Sequence, residues 1–291
     1  MRALKSAKNI IVALISNALN IILGVVVQAI FLKTLGDEYL GLNTMLTSIL
    51  SMLSIAELGI GSAIIYNMYK PIANNDKEKI KSLMRFYKKC YRIIVIVMLA
   101  IGLIISIFLR QIVGETQNIQ NLYLLYFLFL ADVIFSYTIA YKRSIIYANQ
   151  EEYITNLVHS IYLILMNGLQ IVFLYLTHNY CVFLLIKLGC RILENVLINI
   201  IADKKYPYIN EKDVKELDKE TKDDIIKNIK ALFFHKIAGF VVSSTDTILI
   251  SVFFEGLITV AYYSNYNLVL LAVTTILNQF LLSSTASIGD L

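Results

Sequence analysis

Charged side chains inside long apolar runs are the residues of this 291-residue chain whose types could do chemistry. A charge near the middle of a bilayer costs roughly 2.5–3.5 kcal/mol to insert, so each needs a partner, a wet cavity or a function. The richest run holds Lys187, Arg191 and Glu194, and positions 187, 191, 194 and 198 share one helical face. Arg191 and Glu194 can pair with each other, which requires no ligand. Lys187 and Arg191, four residues apart, repel unless an anion or a further carboxylate lies between them. Phosphate is an anion that both side chains bind well. The favoured reading is an anion site on Lys187 and Arg191, with Lys236 as a further cation. An ion-pair network with Asp132 or Asp246 competes with it, and snorkelling of Lys187 to the outer surface is a third reading.

Glu57, Asp132, Glu194 and Asp246 are the carboxylates that could line a cavity or couple transport to an ion or proton. Glu57 opens the stretch Leu58-Gly59-Ile60-Gly61-Ser62-Ala63, where small residues permit close helix packing or local unwinding. Ser243-Ser244-Thr245-Asp246 in one run, and Asn17, Asn20 and Gln28 in another, predict a hydrated seam between two parts of the molecule. His159 and His235 are isolated, and Cys90, Cys181 and Cys190 have no metal-ligand spacing, so no metal and no cofactor is expected.

The elements that must position these residues are eight apolar runs: 10–32, 41–66, 92–109, 120–140, 157–177, 181–201, 232–254 and 258–282. A hydrocarbon core about 30 Å thick needs roughly 20 apolar residues of helix to cross it. The fold class predicted is all-α, a polytopic membrane helix bundle. Lysine and arginine mark the cytoplasmic side of such a chain. They crowd the leader (Arg2, Lys5, Lys8), the gap from Lys70 to Arg92, the exit at Lys142-Arg143 and the gap from Lys204 to Lys230. The alternate gaps hold only Lys33 and Arg110, so the N-terminus is expected in the cytoplasm of a cell-membrane protein. The net charge of +5 is this sorting signal plus attraction to membrane lipids, and no nucleic-acid partner is implied. The first run is too long for a removable signal peptide and lacks a small-x-small cleavage site.

The outward gaps are too short to fold into a domain, which disfavours a membrane glycosyltransferase or polymerase and points away from an enzyme. Residues 203–230 form a charged linker, with Val214, Leu217, Ile225, Ile226 and Ile229 at near-helical spacing; an amphipathic helix along the membrane and a solvated loop are equally open. Lys8-Asn9-Ile10 before the first run and Lys227-Asn228-Ile229 before the seventh introduce the same down-and-up topology. This predicts parallel repeats: a six-span bundle over 1–202, the linker 203–230, and the first two spans of a second bundle over 231–291, the chain reading as an N-terminal portion.

Two stretches carry a family resemblance. One is Thr245-Asp246-Thr247-Ile248-Leu249-Ile250 with Val260-Ala261-Tyr262-Tyr263-Ser264-Asn265-Tyr266-Asn267-Leu268; the other runs from Gly41-Leu42 to Ala56-Glu57-Leu58-Gly59-Ile60-Gly61-Ser62-Ala63. In this order the chain resembles the polysaccharide flippases, the O-antigen and capsule repeat-unit translocases of the multidrug/oligosaccharidyl-lipid/polysaccharide exporter superfamily. The resemblance implies two six-helix bundles around a central cavity, rocking between inward- and outward-open states. It implies a substrate of undecaprenyl-diphosphate carrying a short oligosaccharide, and a polysaccharide polymerase and glycosyltransferases as partners. Lys187 and Arg191 take the diphosphate-binding role by chemistry and depth rather than by a family motif. An ion-coupled multidrug or organic-cation exporter of the same superfamily is the alternative.

Overall fold

A computed structural model of the protein describes residues 2–53, 57, 60–113, 119–211, 214–254 and 257–288. Within them the regular structure is helical throughout: α1 (Arg2–Leu35), α2 (Asp37–Leu53), α3 (Ile60–Ala73), α4 (Lys77–Val113), α5 (Leu122–Thr138), α6 (Ala140–Ala148), α7 (Glu152–Thr177), α8 (Tyr180–Lys205), α9 (Lys219–Phe253) and α10 (Leu257–Ile288), with a 3-10 turn at Pro207–Asn210.

The helix ends follow local chemistry. Gly36, at φ 86°, ends α1 in the left-handed conformation that glycine adopts without a Cβ penalty, and its N–H donates to Leu32 O at 3.0 Å. Asp37 and Glu38 then open α2 where the helix dipole favours anions. Asn179 caps α8, its side chain accepting from the N–H groups of Cys181 and Val182, and Asp218 caps α9 by accepting from Thr221 N.

Among the described residues, Ile11–Leu35, Lys77–Val113 and Glu152–Thr177 are long and apolar enough to cross a membrane, and Leu122–Thr138 with Ala140–Ala148 makes a fourth if that pair, bent by 41°, is one span. The structure departs from several expected runs for physical reasons. Over the run 41–66 the described helices are α2, ending at Leu53, and α3, beginning at Ile60. Run 120–140 bends at Ile139 rather than passing straight through. Lys187, Arg191 and Glu194 interrupt the apolarity of α8. Among its described residues the linker contributes no separate α-helix: its second half is the front of the 35-residue α9.

Helix α1 packs on α7, α2 on α10 and α9, and α8 on both α5 and α7. Phe31, Leu42, Leu46, Tyr87, Tyr126 and Phe129 form the core, each at most 2% exposed. The outer surface is apolar as well, with Ile96, Ile107, Leu176 and Val269 all at least 60% exposed. An apolar exterior over an apolar core is the pattern of a membrane protein, in which helix association rests on close packing and interhelical hydrogen bonds. Two glycines allow such approach. A Cβ on Gly41 would lie 1.8 Å from Leu257 O, and one on Gly102 would lie 2.6 Å from a methyl of Leu130. Of the expected polar seam, Gln28 on α1 donates to Asn265 Oδ1 on α10 at 2.6 Å, whereas the side chains of Ser243, Ser244 and Thr245 lie outside the described residues.

Candidate functional site

Four helices bring a charge network into the bundle. Asp132 comes from α5, Arg143 from α6, His159 and Tyr162 from α7, and Lys187, Arg191, Glu194 and Asn195 from α8. The bend at Ile139 lets one continuous segment contribute both an anion and a cation to the same face of α8.

Asp132 lies between the two like charges of α8. Its Oδ1 accepts from Arg191 Nε at 3.2 Å, and its Oδ2 lies 3.4 Å from Lys187 Nζ. Arg191 also donates through Nη1 to Glu194 Oε2 at 2.7 Å. Glu194, 1% exposed, takes Arg143 Nη2 at 3.1 Å and His159 Nδ1 at 3.0 Å on its other oxygen. Asn195 donates to Phe135 O beside the bend, at 2.5 Å. Aromatic faces complete the setting: Lys187 Nζ sits 4.7 Å from the centroid of Phe129, and the Arg191 guanidinium 4.6 Å from that of Tyr162, on which His159 is stacked.

The balance is uneven. Three permanent cations (Lys187, Arg191, Arg143) face two carboxylates (Asp132, Glu194), and protonation of His159 would add a further positive charge. Arg143 Nε is buried and has no hydrogen-bond acceptor among the described residues. An arrangement of this kind can hold an anion by exchanging one of its own carboxylates for the incoming group.

The sequence-expected residues separate into groups. Lys187, Arg191, Asp132 and Glu194 meet, as the ion-pair alternative with Asp132 requires, and Asp246 stands apart on α9, where Tyr263 Oη donates to its Oδ2 at 3.1 Å. Glu57 accepts from Tyr91 Oη at 2.7 Å. Lys236 belongs to α9, and its side chain lies outside the described residues. Arg143, His159 and Tyr162 join the network although sequence reasoning gave them no role in it. Arg143 read as an orientation signal and His159 as a lone histidine. Their placement depends on the α5–α6 bend and on the pairing of α7 with α8, which residue spacing within one run does not encode.

Comparison with family models, with curated proteins and with solved structures gives no match for this chain. The site geometry is therefore the ground for a functional reading. Among the described residues no group of three or more His, Cys, Asp or Glu could hold a metal ion.

Proposed function

We propose that the protein is a transporter that flips lipid-diphosphate-linked oligosaccharide repeat units across the cytoplasmic membrane by alternating access, in the export of cell-surface polysaccharide. The observation that carries this reading is the excess of partly buried cations over buried carboxylates where Lys187, Arg191 and Arg143 converge on Asp132 and Glu194. Half-buried cations neutralised by well-placed carboxylates are stable at rest, and a diphosphate brings the charge needed to replace those carboxylates. In this mechanism the diphosphate displaces Asp132 from Lys187 and Arg191, the lipid tail stays in the bilayer, and release restores the internal pairs. Re-forming those pairs drives the empty carrier back without a trapped anion.

The reading includes eight crossing segments, with α2–α3 and α5–α6 each serving as one broken span and the N-terminus in the cytoplasm. It divides the chain into a six-span unit over 1–202, the linker 203–230, and a pair of spans over 231–291. The substrate class is undecaprenyl-diphosphate bearing a short oligosaccharide, delivered by glycosyltransferases and passed to a polymerase.

Thiol accessibility tests the site. In a variant without the native cysteines, Lys187→Cys or Arg191→Cys, made one at a time, is expected to react with a small water-soluble thiol reagent and to be protected by added lipid diphosphate. Complete protection with and without substrate would remove both positions from a transport cavity.

A second reading, an ion-coupled exporter of organic cations from the same superfamily, draws on Glu57 and Asp246. Glu57 accepts from the phenol of Tyr91 and Asp246 from that of Tyr263. Efflux of organic cations that is lost in Asp246→Asn and retained in Lys187→Ala would favour it.

A further inference from the structure

The outer stripe of α4 changes character along its length. Arg85, Lys89 and Arg92 follow one another at spacings of four and three, and Ile96, Leu99, Leu103 and Ile107 continue the same face; all seven are exposed. The basic end of the stripe opens into a cavity of about 460 Å³ between α4, α6 and the turn before α9. That volume lies within the range of about 300–1,000 Å³ usual for small-molecule sites.

Among the described residues five cations line the cavity (Lys81, Arg85, Lys88, Lys89 and Arg92) against one carboxylate, Glu211. Glu211 is committed, since Lys81 Nζ bonds it at 2.8 Å. Arg85 donates to Val214 O at 3.2 Å, and Lys88 Nζ lies 5.9 Å from the ring centroid of Tyr141. Among the described residues no hydrogen bond or ion pair engages Lys89 or Arg92. The nearby Asp203 is held by Lys142 at 2.5 Å. A cleft with four more cations than anions, opening directly onto an exposed apolar helix face, matches an amphiphile with a strongly anionic head.

We propose that the cleft and the stripe form one binding site for a membrane lipid whose headgroup carries two phosphates. Arg85, Lys88, Lys89 and Arg92 hold the phosphates, and the chains lie along Ile96, Leu99, Leu103 and Ile107. A single phosphodiester would leave most of the positive charge uncompensated, and basic pockets between membrane helices hold polyphosphorylated headgroups of this kind. The site uses none of the residues of the buried network and is independent of the transport reading.

Native mass spectrometry of the full chain tests it, with cardiolipin, phosphatidylglycerol, phosphatidylcholine and inorganic pyrophosphate as probes. Cardiolipin is expected to be retained in preference to the other three. The double variant Lys89→Ala/Arg92→Ala is expected to weaken it about 30-fold, from the attraction that each basic residue contributes at an anionic surface. Both positions are exposed, so the variant keeps its helices by circular dichroism. The pair Lys33→Ala/Arg110→Ala removes the same charge elsewhere and is expected to leave binding unchanged. An equal loss in that pair, or phosphatidylglycerol bound as tightly as cardiolipin, would overturn the two-phosphate site. Pyrophosphate bound as tightly as cardiolipin, or cardiolipin binding unmoved by Ile96→Asn/Leu103→Asn, would overturn the lipid as its occupant.

Discussion

Glu194 is the residue on which the buried network closes, because Arg191, Arg143 and His159 all reach its two oxygens. Removing one partner of a buried ion pair leaves the other charge uncompensated and typically costs about 3–5 kcal/mol. Glu194→Gln is therefore expected to destabilise the protein on that scale, read as a fall in thermal unfolding temperature in detergent. Adding Arg143→Gln to it is expected to recover part of the loss, because the cation stranded by the first change is then gone; strict additivity of the two changes would show that they do not interact. The charged face of α8 was legible from the spacing of 187, 191 and 194, and so was the need for either a bound anion, the favoured reading, or a further carboxylate between Lys187 and Arg191. Which carboxylate it is depends on α5 lying against α8, a contact between residues more than fifty positions apart that no local pattern records.

At the scale of elements, two close approaches and one latch define how helices are held. The Gly41 site places a would-be Cβ against the backbone of Leu257, which cannot turn aside, whereas the Gly102 site meets the side chain of the buried Leu130. Gly41→Ala is expected to cost about 1–3 kcal/mol through overpacking and to lower disulfide cross-linking between cysteines placed on the facing sides of α2 and α10. Gly102→Ala is expected to cost less than Gly41→Ala by the same measurements, since a side chain rather than backbone must shift. The latch joins the linker to α4: Lys79 Nζ bonds Asp218 Oδ1 at 2.6 Å, and Ser82 Oγ donates to Lys215 O at 2.7 Å. The Lys79 ammonium first, and then the hydroxyl and N–H of Thr221, hold the Asp218 carboxyl well below the usual carboxylate range. A depressed pKa stabilises the folded form above the unfolded value of about 3.9, and the contribution fades as pH falls through the folded value. Amide exchange over residues 219–222 is expected to be flat from pH 7 to 5, after correction for intrinsic rates, and to rise in strong acid. Asp218→Asn is expected to show the faster exchange from pH 7 to 5, the difference closing in strong acid. Composition marked this linker as different from its neighbours, and Leu217 and Ile225 are indeed buried. Its continuation into α9 was not legible, because a charged helix resting on a membrane and a charged helix entering one have the same periodicity.

Across the whole molecule, the apolar runs made the helical, membrane-type architecture readable before any motif, and the exposed Ile and Leu of α4, α7 and α10 follow from it. The runs did not reveal where helices break. A bilayer-length apolar segment looks the same in sequence whether it is one helix or a bent pair such as α5 and α6, since the bend at Ile139 has no proline or glycine to announce it. At this scale the proposed role of the charge network in the bundle is the passage of a lipid diphosphate. The most direct measurement is the leaflet distribution of lipid-linked repeat units in cells depleted of the protein and lacking any redundant flippase. The account predicts that the units accumulate on the cytoplasmic leaflet, that the wild-type gene restores export, and that a Lys187→Ala/Arg191→Ala gene, although present in the membrane, does not. Unchanged export after depletion, or full rescue by the double variant, would contradict it.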